Sequence, residues 1–317
     1  MAKEIRWGLV GASAIGVRSF LPALKAVGGG TAVVVGARDL AKAQKYAADN
    51  GIPETAGSYE EVYNRDDLDA VYIAQPGVNH PPLTLAAIKA GRGVLSEKPF
   101  AITVKACEDY LAAAPKDALA WEAFVLAFHP QTHMIKNLTK DLGAIKKIDS
   151  VFTYPNENPD DLRWVNGIGG GALLDIGCYS VRWAYALLEE KPEVIKAEAT
   201  MAPTGVDESG SASLQYPSGA VMNMRWSFRE EEKTTAIVEF ENGIVKVTSP
   251  FHPYPGDYIE ITKDGKTEKI LSPEGTSFDH GVRHIQNVLA NGIAPEYRIQ
   301  DVSLVQAQTL EEIKNKW

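Results

Sequence analysis

The sequence predicts an α/β protein of two domains. The first is a doubly wound, mostly parallel sheet; the second is an α+β domain on a large, mostly antiparallel open sheet. Three observations carry this. The 317 residues suit two domains of ~150. In the first 122 residues, short apolar runs alternate with helical patterns, which is repeated βαβ. From Val194 to Ile270, strand follows strand, with hairpin turns at Asn242-Gly243 and Asp264-Gly265. The expected domains are 1–122 and 123–317.

The elements follow in order. Residues 5–10 read as a short buried strand. Gly11 to Gly16 follow, then a helix with Phe20, Leu21, Leu24 and Val27 on one face. Gly28-Gly29-Gly30 stops it, because glycine accepts the left-handed cap. The run 31–36 is a second strand, apolar throughout as when both sheet faces are covered. Asp39 can cap a helix over 40–50. Ser58, with Glu61 three residues on, reads as a capping box. Strands over 70–74 and 94–96 alternate with helices over 83–90 and 104–114. Past 122 the pattern changes. A helix runs from Pro130 to near Gly143, and a strand over 145–154 leads into a polar loop over 155–167. A helix spans 172–188. Met222, Met224, Trp226 and Phe228 alternate with Val221, Asn223, Arg225 and Ser227, the mark of a half-buried antiparallel strand. Two helices, near 279–290 and 301–314, close the chain.

Composition excludes several classes of function. Hydrophobic residues are 45% and charged residues 23%, ordinary for a globular protein and too apolar for a disordered one. Lys plus Arg number 32 and Asp plus Glu 41, a net −9, which argues against a nucleic-acid partner. No apolar run reaches the roughly 18 residues of a membrane span. The start, Met1-Ala2-Lys3-Glu4-Ile5-Arg6, lacks a hydrophobic signal core. With only Cys107 and Cys178, a reduced cytoplasm is the expected location. The His, Cys and acidic residues show no ligand spacing, so no metal is expected.

Gly11-Ala12-Ser13-Ala14-Ile15-Gly16 sits directly between strand and helix. A dinucleotide site needs a tight turn there, so that backbone N–H groups and the helix start meet a pyrophosphate. Ser13 stands where the middle glycine is usual, and a small residue still allows close approach. About 20 residues on, NAD sites place an acid on the ribose 2′-hydroxyl. That slot holds Ala37, followed by Arg38. Without a carboxylate a 2′-phosphate is not repelled, and Arg38 can pair with it, so NADP is expected over NAD. The alternative makes Arg38 a solvated helix-start residue and Asp39 the ribose acid.

Ser96-Glu97-Lys98-Pro99 and Gly169-Gly170-Gly171-Ala172-Leu173-Leu174-Asp175-Ile176-Gly177-Cys178-Tyr179 resemble the two signatures of the glucose–fructose oxidoreductase/inositol dehydrogenase (Gfo/Idh/MocA) family. The resemblance covers nearly the whole chain and implies a Rossmann domain at its N-terminus. Ala37-Arg38-Asp39-Leu40 and Gly57-Ser58-Tyr59-Glu60-Glu61 are similar to the dimeric dihydrodiol dehydrogenase/xylose dehydrogenase branch, which uses NADP. It implies that Gln75, Pro76, Asn79, His80, Glu97 and Lys98 line the cofactor, although Gly77 replaces the family's Asn and His80 could equally be a helix-start residue. It also implies that Phe128, Arg163 and Trp164 contact substrate; Trp164 reads equally well as a loop anchor. The family's Tyr-Arg before Phe128 is here Leu126-Ala127, so a polar contact is expected to be absent. The resemblance further implies a homodimer through the C-terminal sheet.

The residues make chemical sense without it. Asp175 and Tyr179 are i, i+4 on the expected helix and share a face. Lys98 follows a strand end, where ligands of doubly wound sheets bind. An expected cleft between the domains would hold a cation, a carboxylate and a phenol. Oxidising a secondary alcohol requires a base for the hydroxyl proton. A phenol with pKa ~10 can serve if an ammonium favours its phenolate. Tyr179 is then the acid/base. Lys98 promotes its ionisation and binds the reacting oxygen, and Asp175 orients Lys98 or a substrate hydroxyl. Cys178 reads as packing. The function expected is NADP-dependent hydride transfer with a sugar, cyclic polyol or related carbonyl. The alternatives are a catalytically silent ligand sensor, a tight-cofactor sugar–sugar oxidoreductase and an NAD-dependent inositol-type enzyme, the last disfavoured by Ala37 and Tyr179.

Overall fold

A computed structural model describes residues 3–317. The chain divides into two compact units. Unit 1 runs to Val125 and includes Phe278–Leu304; unit 2 is Leu126–Ser277 with Val305–Trp317. No helix among the described residues is long and apolar enough to cross a membrane.

Unit 1 is built on six parallel strands: β1 (Ile5–Val10), β2 (Gly30–Gly36), β3 (Glu54–Ala56), β4 (Ala70–Ile73), β5 (Gly93–Ser96) and β6 (Ala120–Glu122). Their order is β3-β2-β1-β4-β5-β6. The winding reverses between β1 and β4, and ligands of such sheets bind beyond the carboxyl ends at that point. The helices are α1 (Leu21–Val27), α2 (Leu40–Asn50), α3 (Tyr59–Tyr63), α4 (His80–Lys89) and α5 (Val104–Ala113). Residues 70–73 and 93–96 are buried throughout, as strands covered on both faces must be. Asp39 caps α2 by accepting from Ala41 N and Lys42 N. Ser58 caps α3 by accepting from Glu61 N, but the Glu61 carboxylate returns to Gly57 N, one residue before the position a capping box requires.

Residues 278–304 join this unit although they lie far beyond 122. Trp121, fully buried, donates Nε1–H to Glu296 O at 2.9 Å and bridges Arg298. Ser303 Oγ donates to Glu122 Oε2 at 2.6 Å, and Gln300 Nε2 to Ala118 O at 2.6 Å. All these bonds span more than 170 residues, so no local pattern announces them.

Unit 2 begins with α6 (Pro130–Asn137) and α7 (Thr139–Leu142). The single helix expected over 130–143 is thus broken at Leu138. Then come β7 (Ile145–Thr153), α8 (Cys178–Leu188), β8 (Glu193–Met201), β9 (Asp207–Gln215), β10 (Val221–Ser227), β11 (Lys233–Phe240), β12 (Gly243–Val247), β13 (Tyr258–Lys263) and β14 (Lys266–Leu271). The last helices, α9 (Ser277–Asn291) and α10 (Ile299–Lys314), are divided between the units. The sheet order is β14-β13-β12-β11-β7-β10-β9-β8. The expected alternation in β10 is present: Met222, Met224 and Trp226 are buried and Arg225 is exposed. Its pairing is antiparallel only to β9; towards β7 it is parallel. The much earlier strand β7 is inserted between β10 and β11, and that long-range insertion reverses the direction. Asp264 and Gly265 both take positive φ, 51° and 72°, the two left-handed residues of a type I′ hairpin.

The segment before α8 is not plain α-helix. Leu173–Gly177 forms a π turn. Its start is held by Asp207 at the head of β9. Asp207 is buried, and its Oδ2 accepts from Leu173 N at 2.7 Å and from Trp226 Nε1 at 2.8 Å. Burial pushes this carboxyl up in pKa and the two donors pull it back. Asp207→Ala strands both buried donors and should lower stability by about 3 kcal/mol. Asp207→Asn keeps an acceptor and should lose less. Urea midpoints of the two variants check the ranking.

Candidate active site

The chemistry-bearing residues fall on one face of each unit. On unit 1 they gather where β1, β2, β4 and β5 end. Gly11 has φ +119°, and a Cβ there would lie 2.1 Å from Gln75 Nε2 and 2.6 Å from Ala74 O. Only glycine fits. Ser13 closes the turn, its Oγ accepting from Gly16 N at 3.1 Å, so the residue in the middle-glycine position caps the helix start. Tyr46 Oη donates to Ser13 O at 3.1 Å, and burial pushes that phenol up to about 12. A Cβ at Gly16 would lie 2.6 Å from the same hydroxyl. Ala12, Ser13 and Ile15 remain half-buried and Ala14 exposed, leaving the turn open.

After β2, Ala37 is buried and Arg38 exposed. Asp39 directs its Oδ1 to Ala41 N and Lys42 N. Gln75 lies against Gly11, donates to Val10 O and Ala74 O, and accepts from Tyr59 Oη at 2.7 Å. Pro76 and Asn79 flank the short turn that leads into α4. His80 is buried, with Nδ1 at 2.8 Å from Pro99 O and Nε2 at 2.7 Å from Gln75 O. Burial pushes its imidazole down in pKa, aided by the Lys98 charge and opposed by the two carbonyls. Its two ring nitrogens face carbonyls of the segments after β4 and β5, and the neutral ring donates to one of them. Glu97 is also turned inward. It accepts from Tyr72 Oη at 2.6 Å and from Lys98 N at 3.2 Å, and burial pushes its carboxyl up. Lys98 next to it is half-buried.

On unit 2 the glycine run does structural work at two positions. A Cβ on Gly170 would lie 2.4 Å from Val165 O, and one on Gly171 (φ +108°) 2.3 Å from Asp207 Oδ1. The run thus lies hard against the loop that carries Arg163. From the π turn onward, Asp175 and Tyr179 are half-buried while Ile176, Gly177 and Cys178 are buried. The two candidate side chains share the open face. Asp175 Oδ2 accepts from Tyr154 Oη at 2.9 Å and from Arg163 Nε at 2.7 Å. Burial works against the Arg163 charge, but Asp175 and Asp161 more than hold it, so its pKa is raised. Tyr179 packs among Phe152, Phe251 and His252, with ring centroids at 5.5, 5.9 and 4.7 Å. Trp164 is buried edge-on against Phe228, with Arg229 over its ring at 4.7 Å, which is the loop-anchor arrangement. Phe128 is half-buried on a short turn before α6.

Sequence reasoning missed Tyr154, His252 and Asp207. Tyr154 directly follows the last residue of β7 and had a weak signal as a polar aromatic at a strand end. His252 sits in the loop between β12 and β13 with no motif around it. Asp207 opens a strand in an otherwise unremarkable run.

Comparison with known proteins fits this geometry. Residues 5–122 match the family described as "Oxidoreductase family, NAD-binding Rossmann fold", and residues 135–246 match the "GFO/IDH/MocA C-terminal domain". The chain is 31% identical over 307 residues to D-xylose 1-dehydrogenase (NADP(+)) 2 of Haloferax volcanii, covering 94% of each. It is 30% identical over 301 residues to trans-1,2-dihydrobenzene-1,2-diol dehydrogenase of Xenopus laevis, covering 89% of each. Among solved structures it resembles KijD10, a 3-ketoreductase from Actinomadura kijaniata in complex with NADP and TDP-benzene. That likeness has a TM-score of 0.90 and 26% identity, over 99% of this chain and 98% of that one. The chain belongs to the GFO/IDH/MocA oxidoreductase family, with the family's N-terminal Rossmann domain and its C-terminal domain both matched.

Proposed function

We propose that the protein is an NADP-dependent oxidoreductase acting on a secondary alcohol or carbonyl of a sugar, cyclic polyol or related compound. The observation that carries this is the half-open placement of Tyr179 and Asp175 above buried neighbours. A proton-transferring phenol has to be reachable, and these two polar side chains are the reachable ones of their turn. Relatives named as a xylose dehydrogenase, a dihydrodiol dehydrogenase and a 3-ketoreductase support the substrate class.

The chain suits the cofactor on its own residues. The Gly11 turn leaves no room for a side chain, and Ser13 accepts from Gly16 N at the helix start that follows, the kind of tight turn a pyrophosphate needs. Asp39 is committed to its helix start, while Arg38 is exposed next to an alanine. That combination favours a 2′-phosphate. A nicotinamide held there would accept or supply the hydride. In the oxidising direction the Tyr179 phenolate takes the hydroxyl proton; in reduction the phenol returns it to the carbonyl oxygen. Lys98 is the assisting cation, which favours the phenolate and holds the reacting oxygen. Asp175 keeps Arg163 and Tyr154 in place and so positions the polar face offered to the substrate.

The outer face of the large sheet carries the exposed Ile237, Ile244 and Leu271, brought to one side by register. We assign this face to a second copy of the chain, as a homodimer. Cys107 and Cys178 are both buried thiols outside any disulfide, which suits a reduced cytoplasm.

Three outcomes test these assignments. Tyr179→Phe should lower turnover about 10²-fold or more while the fold persists. Near-normal turnover removes Tyr179 from proton transfer. The dissociation constant for NADP should be lower than for NAD, and Arg38→Ala should weaken NADP alone, by about tenfold. Tighter NAD binding by the unaltered protein overturns the preference. Light scattering should give twice the chain mass, and Ile244→Lys should shift it to that of one chain.

A further inference from the structure

Among the described contacts three rings meet Tyr179, and one of the three bears heteroatoms. Phe152 and Phe251 meet the phenol with carbon alone, whereas His252 presents an imidazole, ring to ring, at 4.7 Å and 61°. That imidazole is the closest of the three rings. His252 is half-buried and lies on the same unit as the half-open phenol.

The loop that carries it is built to hold it there. Phe251, fully buried, stacks on Phe152 at 5.4 Å and meets Trp183 edge-on at 6.2 Å. Ser249 Oγ donates to His252 O at 2.8 Å, and Gln131 Nε2 on α6 donates to Ser249 O at 2.9 Å. The backbone on the N-terminal side of His252 is therefore fixed from two directions. A side chain held in this way offers directional hydrogen bonding at little cost in ordering.

We propose that His252 is a specificity-determining residue, whose imidazole bonds the substrate hydroxyl next to the reacting carbon. This rests on Tyr179 being the group that handles the reacting oxygen. The hydroxyl on the next carbon is the substrate group nearest that oxygen, and among the three described rings the imidazole is nearest the phenol. Neutral imidazole carries one donor and one acceptor, so it can serve a hydroxyl in either sense. A phenylalanine in its place would keep the packing and remove both. The inference gives the hydroxyl adjacent to the reacting carbon, which sugars and cyclic polyols share, a partner on this chain.

The test compares 2-hydroxycyclohexanone with cyclohexanone, reduced with NADPH by the full-length protein and by His252→Phe and His252→Gln. The two ketones differ only in the neighbouring hydroxyl. The unaltered protein should prefer the hydroxy ketone in kcat/KM. In His252→Phe that preference should fall about tenfold, the worth of one hydrogen bond, with the cyclohexanone value within about twofold. In His252→Gln, which keeps a donor and an acceptor, part of the preference should return. An unchanged preference in His252→Phe overturns the assignment. So does an equal fall for both ketones, which would mark the imidazole as packing for Tyr179. Absence of any reduction by the unaltered protein, across these ketones and a panel of aldoses and inososes, overturns the oxidoreductase reading, and this one falls with it.

Discussion

Much of unit 2 depends on one buried carboxylate. Taking an ion out of water costs several kcal/mol unless it is well bonded. Asp207 meets that condition with a backbone N–H from Leu173 and the indole N–H of Trp226. The approach is possible because Gly171 has no side chain to stand in the way. The consequence is one of phase. Leu173 opens the π turn, and Cys178 opens α8 directly after it. With Leu173 held, the angular positions of Asp175 and Tyr179 are set relative to the sheet. A π turn is wider than an α turn and costs hydrogen-bond quality, so it persists where something compensates. Here Asp207 and the packing of Gly177 against Trp226 supply that compensation.

Unit 1 uses the same device with different chemistry. Gly11 leaves a space that the Gln75 amide fills, and Gln75 is held in turn by Tyr59 and, through its carbonyl, by His80. The same imidazole reaches Pro99 O, one residue past Lys98. One buried ring thus sits between the segment after β4 and the backbone that carries the lysine, a carbonyl of each facing one of its nitrogens. Glu97 adds a second tie, accepting from both Tyr72 and the Lys98 N–H. Side chains expected to touch the cofactor are here engaged with the protein's own backbone, which keeps the exposed ones in register.

The sequence made the local parts of this legible. Apolar period, glycine stops and the caps at Asp39 and Ser58 located the elements of the parallel sheet, because each depends on neighbours within a few residues. The two signatures singled out Lys98, Asp175 and Tyr179 as candidates, because each signature is one short run of sequence. What stayed hidden was long-range. The parallel pairing of β10 with β7 joins strands about 75 residues apart, and the attachment of 278–304 to unit 1 rests on bonds to Ala118, Trp121 and Glu122. His252 is the same case within the site. No periodicity marks a loop residue that matters because of a ring it meets 73 positions away in sequence (252 − 179 = 73).

Charge gives the last step. The chain is net −9, yet an anionic cofactor responds to the local field, since screening limits reach to ~8–10 Å at ordinary salt. On unit 2 the arginine of the open face is neutralised in place: Arg163 is paired with Asp175 and Asp161. That face offers hydrogen bonds without a strong net charge, which suits polyhydroxylated neutral substrates. On unit 1 the acid nearest Arg38 in sequence is drawn off to cap α2, and the next charge in that segment is Lys42. Two cations flank one carboxylate there, and that carboxylate faces the backbone N–H groups of its own helix start. The helix cap at Asp39 thus turns the acid of that segment towards its own helix start and leaves Arg38 exposed beside Ala37.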